Sequence, residues 1–199
     1  MLVSKTVLEL LDAFSAPTPT PGGGSAAALA GATSASLLAM VAAMPKTRNN
    51  TPEDRAALDA ARPAIMALRA QLIDLIDRDA AAYDMVVAAY RLAKGTDEEK
   101  AARKAAVAHG MRVATDVPLE TVRAAAGLLA RARIVADHGN PNAKSDVSVA
   151  ISLAETAMAG GVLNVEANLG GLGDDAYAAK VRSEMQSLMQ ASDAAKPRA

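Results

Sequence analysis

The chain has 199 residues, a formal net charge of -1, 51% hydrophobic residues and no cysteine. One domain of this length buries about 70% of the surface its unfolded chain exposes, so it needs no disulfide or metal staple. The missing cysteines exclude thiolate zinc sites and a cysteine nucleophile, while near-neutral charge and only 2% aromatic residues argue against a nucleic-acid or anionic-membrane partner.

Alanine, the strongest helix former, dominates, and alternating Val, Ile, Thr and aromatic runs are scarce. This predicts an all-α, multihelical array about a long central helix. A first helix is expected over Val3–Phe14, followed by a proline-rich turn, and a second from Gly24 or Ser25 to just before Pro45. No residue from Phe14 to Pro45 is charged, a length that would span a bilayer. Yet Ala26 to Met44 is mostly small residues without an aromatic belt, which reads as a buried helix of a soluble protein. The N-terminal "SKTVLELLDAF" is short and carries Lys5, Glu9 and Asp12, unlike a signal peptide, so a cytoplasmic location is expected.

Thr51-Pro52 is a helix start, a capping hydroxyl followed by proline at the first helical position. It opens a long third helix to about Lys94, with Pro63 as a possible kink. After "GTDEEK", with Thr96 or Asp97 as cap, a fourth helix is expected over Glu98 to Ala114. "TDVPLE" is expected to kink or interrupt it, before a fifth helix that ends at His138. "HGNPNAKSD" reads as a turn, Ser145 to Asn168 as a sixth helix, and "GGLGDD" as the lead into a last one. A tail from about residue 192 is expected to fray, and nothing divides residues 1–199 into two domains.

Leu68, Leu72, Leu75, Asp79, Ala82, Tyr83, Val86 and Tyr90 fall on one helical face. Asp79 alone does not fit a core stripe. An unpaired carboxyl there either stays protonated, with a raised pKa, or costs several kcal/mol; such a group is suited to acid–base work near neutral pH. The alternatives are a buried Arg partner or a stripe that opens to solvent at that point. Asp74, Asp77, Arg78 and Asp84 lie off the stripe and read as a solvated face. Asp146 follows Ser145 at the start of the sixth helix, where capping is the default, although Asn140 and Asn142 put amide groups beside it. Asp116, before Val117-Pro118, also reads as a helix-entry residue. His109 and His138 lack partners at ligand spacing, so no metal site is assigned.

"PTPTPGGGSAAALAGA" lacks the Gly-Lys-[Ser/Thr] ending of a P-loop, and Ser25 does not sit in a Gly-x-Ser-x-Gly elbow. Its glycines let backbone N–H groups approach a ligand, and Gly24, Ala28, Gly31, Ala35 and Ala39 permit close helix packing. A turn with tight packing and a ligand contact both remain open on these residues.

Four stretches, in order, resemble the cyclodeaminase/cyclohydrolase family. They are "PTPGGGSAAALAGA", "LIDLIDRDAAAYDMVVAAYRLAKGTDEEKAARKAA", "ATDVPLETV" and "GNPNAKSDVSVAISLAETAMAGGVLNVEANL". The resemblance implies an all-helical fold with a helical dimerisation surface, a homodimer, and a tetrahydrofolate derivative as substrate without metal or other cofactor. It implies Asp79 as general acid/base or as the group that holds the pterin, with Asp146 in the other role. Tyr83 would position the ring. Gly22, Gly23, Gly24 and Ser25 would meet the folate, as would Asn142, and Lys94, Arg103, Lys46 and Arg48 would take the glutamate-tail carboxylates. Where the family pattern leads one to expect Thr-x-Gly followed by cations and a tyrosine, this chain has "MPKTRNNTPED", which leaves open how the tail is held. The transferase half is absent, so a stand-alone enzyme is expected, favoured as a methenyltetrahydrofolate cyclohydrolase. A formiminotetrahydrofolate cyclodeaminase and a non-catalytic folate-binding helical dimer are the alternatives.

Overall fold

The structure, a computed structural model, describes residues 1–45, 47 and 50–195. Lys46 and Arg48 therefore lie outside the described residues. The described residues form six α-helices, two short 3₁₀ turns and no strand. The helices are α1 (Val7–Ser15), α2 (Gly23–Ala43), α3 (Pro52–Tyr90), α4 (Asp97–His138), α5 (Lys144–Leu169) and α6 (Asp175–Ala195).

Local chemistry sets most of these boundaries. Thr6, Thr51 and Thr96 each accept from the backbone N–H three residues on, and an acidic side chain at that position reaches back to the cap. These capping boxes satisfy two otherwise free donors at each helix start. Thr6 moves the first helix from the expected Val3–Phe14 to Val7–Ser15, with a 3₁₀ turn at Leu2–Ser4 before it. Asp77, expected on a solvated face, accepts the Leu2 N–H and ties that turn to α3. Helix α6 runs past residue 192, where fraying is expected, as far as Ala195, and Ser192 is buried.

The clearest departure from expectation is α4. "TDVPLE" does not interrupt it, and Pro118 lies inside one unbroken helix of 42 residues. Proline lacks the N–H that would reach the carbonyl four residues back, and its ring crowds that carbonyl. The freed Ala114 oxygen instead accepts from Asn168 Nδ2 of α5 at 2.6 Å, so the break in the ladder is covered from outside. Asp116 is consequently mid-helix rather than a helix-entry residue, and accepts the Tyr177 hydroxyl of α6. Arg112 stacks 3.5 Å from the centre of that tyrosine ring.

Helices α2, α3, α4 and α5 form a closed ring in which each packs on the next and α5 returns to α2, while α6 lies against α4. Short connections make successive helices antiparallel, as in an up-and-down bundle. The core is built from alanine, leucine and valine, with Ala28, Ala35, Leu38, Leu72, Leu128 and Ala154 fully buried. Small residues bring axes together: a Cβ on Gly31 would press on Leu72 and Ala157. Helix α2 is apolar and long enough to cross a bilayer, but more than half of it is buried inside the bundle, which accounts for its uncharged composition. Helix α1 buries no residue and leaves Val7, Leu8 and Leu11 exposed.

Candidate active site

Where the N-terminus of α2 meets the middle of the ring there is a cleft of about 170 Å³, lined by Pro19, Thr20, Gly22, Gly23, Gly24, Asp79, Tyr83, Ala114, Asn164 and Asn168. Four helices contribute to it, and its size suits a ring-sized end of a ligand. Gly22 caps α2 without a side-chain hydrogen bond, so the first N–H groups of this helix meet the cleft as backbone donors at the positive end of the helix dipole.

Gly24 is a glycine because of Asp79: a Cβ on Gly24 would fall within the carboxyl group. This close approach places Asp79 against the helix start. Its partner is Ser25 rather than an arginine; Ser25 Oγ lies 3.0 Å from Asp79 Oδ2, and no ion pair among the described residues includes Asp79. Burial pushes the Asp79 carboxyl above the ordinary carboxylate range, and hydrogen bonds from the Ser25 side chain and backbone pull it back only in part.

The hydroxyl of fully buried Ser25 has one proton and two neighbours, because it also donates to the Ile76 carbonyl at 2.9 Å. That carbonyl can only accept. With the Ser25 proton on Ile76, Ser25 Oγ accepts from a protonated Asp79; with Asp79 ionised, the same hydroxyl turns to donate to the carboxylate. Ser25 thus accommodates both protonation states with little rearrangement, as a group that must gain and lose a proton requires.

Across the cleft, Asn164 donates Nδ2 to the Gly160 carbonyl at 2.8 Å, as Asn168 does to Ala114. Both carboxamides have one N–H tied to the backbone, which fixes the direction of the acceptor oxygen and leaves that oxygen and the second N–H available. Sequence reasoning missed Asn164 and Asn168. The signal was present as two amides four residues apart, on one face near the C-terminal end of α5.

Tyr83 lies one turn from Asp79 in the cleft wall, 41% exposed and open to a ligand. Lys94 and Arg103 sit elsewhere, in a basic hollow of about 380 Å³ at the α3–α4 connection with Tyr90, Lys100, Lys104 and Val107. Arg103 Nε donates to the Tyr90 carbonyl at 3.2 Å, and its guanidinium lies 5.4 Å from the Tyr90 ring centre. Tyr83 to Tyr90 on α3 and Ala114 to Val107 on α4 are each seven residues, about 10 Å of helix. Cleft and hollow therefore occupy successive positions along one α3–α4 groove.

Asp146 does not join Asp79 within one chain. It lies in the first turn of α5, eighteen residues, or about 27 Å of helix, from Asn164. Asn142 is in the exposed turn at that same far end, its N–H held by Asn140 Oδ1 at 2.9 Å. There too is His138, which spacing leaves without a partner; its Nδ1 is 2.7 Å from Asp54 Oδ1. His138 and the Thr51 backbone hold the Asp54 carboxyl below its ordinary range. Arg78, expected on a solvated face, forms a two-pronged pair with Glu120 at 2.7 and 2.8 Å. Among the described residues no three histidine, aspartate or glutamate side chains gather as a metal site.

Residues 6–187 match the family model described as formiminotransferase-cyclodeaminase. The chain is 39% identical over 189 residues to the methenyltetrahydrofolate cyclohydrolase of Methylorubrum extorquens, covering 95% of this chain and 91% of that one. It is 34% identical to the formimidoyltransferase-cyclodeaminase of Sus scrofa over 95% of its own length, but spans only 35% of that longer protein. The crystal structure of formiminotetrahydrofolate cyclodeaminase from Thermotoga maritima superposes with a TM-score of 0.86 over 98% of this chain and 93% of the other, at 22% identity.

Proposed function

This chain belongs to the formiminotransferase-cyclodeaminase family, and from that premise we propose that it hydrolyses 5,10-methenyltetrahydrofolate to 10-formyltetrahydrofolate. The observation that carries the reading is the half-buried Asp79 carboxyl, poised above its ordinary pKa in a cleft walled by backbone donors and carboxamide acceptors. Similarity over nearly the whole length to a named cyclohydrolase supports the choice of reaction.

The methenyl carbon bridging N5 and N10 is part of an amidinium and already electrophilic, so water can add to it without a metal or redox cofactor. Ionised Asp79 takes a proton from the attacking water as the C–O bond forms. The tetrahedral carbon then collapses: the N5–C bond breaks, Asp79 returns its proton to N5, and the remaining hydroxyl proton leaves as the formyl C=O forms on N10. Tyr83 packs against the ring system, and the first N–H groups of α2 face its polar edge. In the alternative reaction N10 attacks a 5-formimino carbon, and the same carboxyl protonates the departing ammonia. The 34% identity to a bifunctional cyclodeaminase keeps that reading in view.

The glutamate tail runs along the α3–α4 groove into the hollow of Lys94, Lys100, Arg103 and Lys104. Arg103→Glu should raise KM about tenfold for a polyglutamylated substrate, the scale of one lost charge-assisted contact, with less effect on a monoglutamate and little on kcat. Steady-state kinetics on both substrates checks this. We also read the enzyme as a cytoplasmic homodimer joined through the uncharged outer face of α5, where Leu163 is 71% and Val149 52% exposed. Leu163→Asp should shift sedimentation from dimer to monomer. If Asp146 and Asn142 serve the site, they do so from the partner subunit.

The deciding experiment follows the near-ultraviolet absorbance of 5,10-methenyltetrahydrofolate with purified protein against the spontaneous rate, with 5-formiminotetrahydrofolate in parallel. Enzyme-dependent loss of the methenyl compound supports the proposal. Its appearance from the formimino compound alone transfers the protein to the cyclodeaminase reading. No change with either leaves a folate-binding helical dimer.

A further inference from the structure

We propose that Pro118, buried inside α4 and remote from the reacting atoms, is a positioning residue for the site, acting through Asn168. The inference rests on the reading of the cleft as a tetrahydrofolate site and adds a recognition element to it. In an uninterrupted helix the Ala114 carbonyl would accept the N–H of residue 118. Proline has no such N–H, and its ring displaces the carbonyl from the helix axis. The displaced oxygen is the one that Asn168 Nδ2 reaches at 2.6 Å, across the α4–α5 contact.

A carboxamide whose nitrogen is anchored has its oxygen direction settled as well. Asn168 Oδ1 has no partner among the described residues, and the residue lines the cleft beside Asp79 and Asn164. Asn164 is anchored in the same sense through Gly160. The two amides therefore offer acceptors to the N–H groups at the edge of a reduced pterin, and the proline maintains one of them. Gly161 of α5 supports the arrangement, since any Cβ there would press on the Pro118 carbonyl and Val122 and drive α5 away from α4.

Pro118→Ala restores the helical N–H, draws the Ala114 carbonyl back toward the axis and releases Asn168. The Asn168 side-chain amide signals of the ligand-free protein, read by 15N NMR, should move toward solvent-like positions and lose their hydrogen-exchange protection. KM for the methenyl substrate should rise about two- to twelvefold, the span of one neutral hydrogen bond, with a smaller change in kcat. Asn168→Leu should give a similar increase, and the double variant no more than either single one. Unmoved Asn168 signals, or penalties that multiply in the double variant, overturn the proposal. If Pro118→Ala does not fold, Asn168→Asp removes the donor while retaining the oxygens, and a wild-type KM there overturns it equally. An inactive wild-type protein would defeat the functional reading, while the amide signals would still report whether Pro118 sets Asn168.

Discussion

Asp79→Asn is expected to lower kcat about 10²–10⁴-fold, the usual contribution of a positioned acid or base, while the protein becomes more stable at neutral pH. The two effects share a cause. Burial holds the Asp79 carboxyl above its ordinary value, so the folded chain binds this proton more tightly than the unfolded chain. That contribution to stability is fully present below the unfolded pKa, about 3.9, and is lost as pH rises through the folded value. Asparagine never ionises and avoids the loss. Thermal melts should therefore show the variant's advantage growing from pH 4 upward and levelling off above the folded pKa, while turnover of the methenyl substrate is severely reduced throughout. Undiminished turnover would remove Asp79 from the chemistry. A variant less stable than wild type at pH 8 would mean that the native site prefers the ionised carboxyl.

Gly24→Ala is expected to cost about 10²-fold in kcat, through geometry alone. Two terms compete in this substitution. Alanine is the better helix former by about 1 kcal/mol, which would stabilise α2. Its Cβ, however, has no room beside Asp79, and overpacking of this kind costs about 1–3 kcal/mol. The carboxyl is the movable partner and rotates away, leaving Ser25 and the position from which it serves the substrate. A displacement of about 1 Å at a reacting group suffices for a loss of this size. Gly23→Ala is the matched comparison: its nearest neighbour is the Asn164 amide at 3.3 Å, a tight contact rather than an overlap, so it should cost far less activity than Gly24→Ala. Equal activity in all three proteins would show that the Gly24–Asp79 contact is incidental.

Features with a local physical cause were legible in the sequence. The caps at Thr51 and Thr96, the long central helix and the misfit of Asp79 on its stripe follow from periodicity and short-range hydrogen bonding. The equally local capping box at Thr6 was overlooked, and it starts the first helix at Val7 rather than the expected Val3. Features that depend on a distant partner were not. Pro118 reads as a helix breaker until α5 supplies a donor to Ala114. His138 reads as isolated until Asp54, 84 residues earlier, arrives beside it. The family resemblance implies complementary roles for Asp146 and Asp79, yet within one chain they stand near opposite ends of an antiparallel bundle. Asn164 and Asn168 were overlooked because an amide on a helix is unremarkable until the carbonyls it binds are known.

The closed ring of helices also bears on the order of assembly. Hairpin neighbours α2–α3, α3–α4 and α4–α5 meet through short connections and little loop entropy, the sort of contact that forms early. The α5–α2 seam joins residues far apart in the chain, as in the bond from Ser34 to the Ala150 carbonyl across 116 residues, and its closure entropy makes it the late step. The cleft spans that seam: Gly24 and Asp79 come from one side, Asn164 and Asn168 from the other. A chain that has formed its hairpins but not closed the circle thus holds almost all of its helix and both halves of its site, Asp79 with Ser25 and Asn168 with Ala114. It lacks the cleft between them, so that catalytic competence belongs only to the fully assembled molecule.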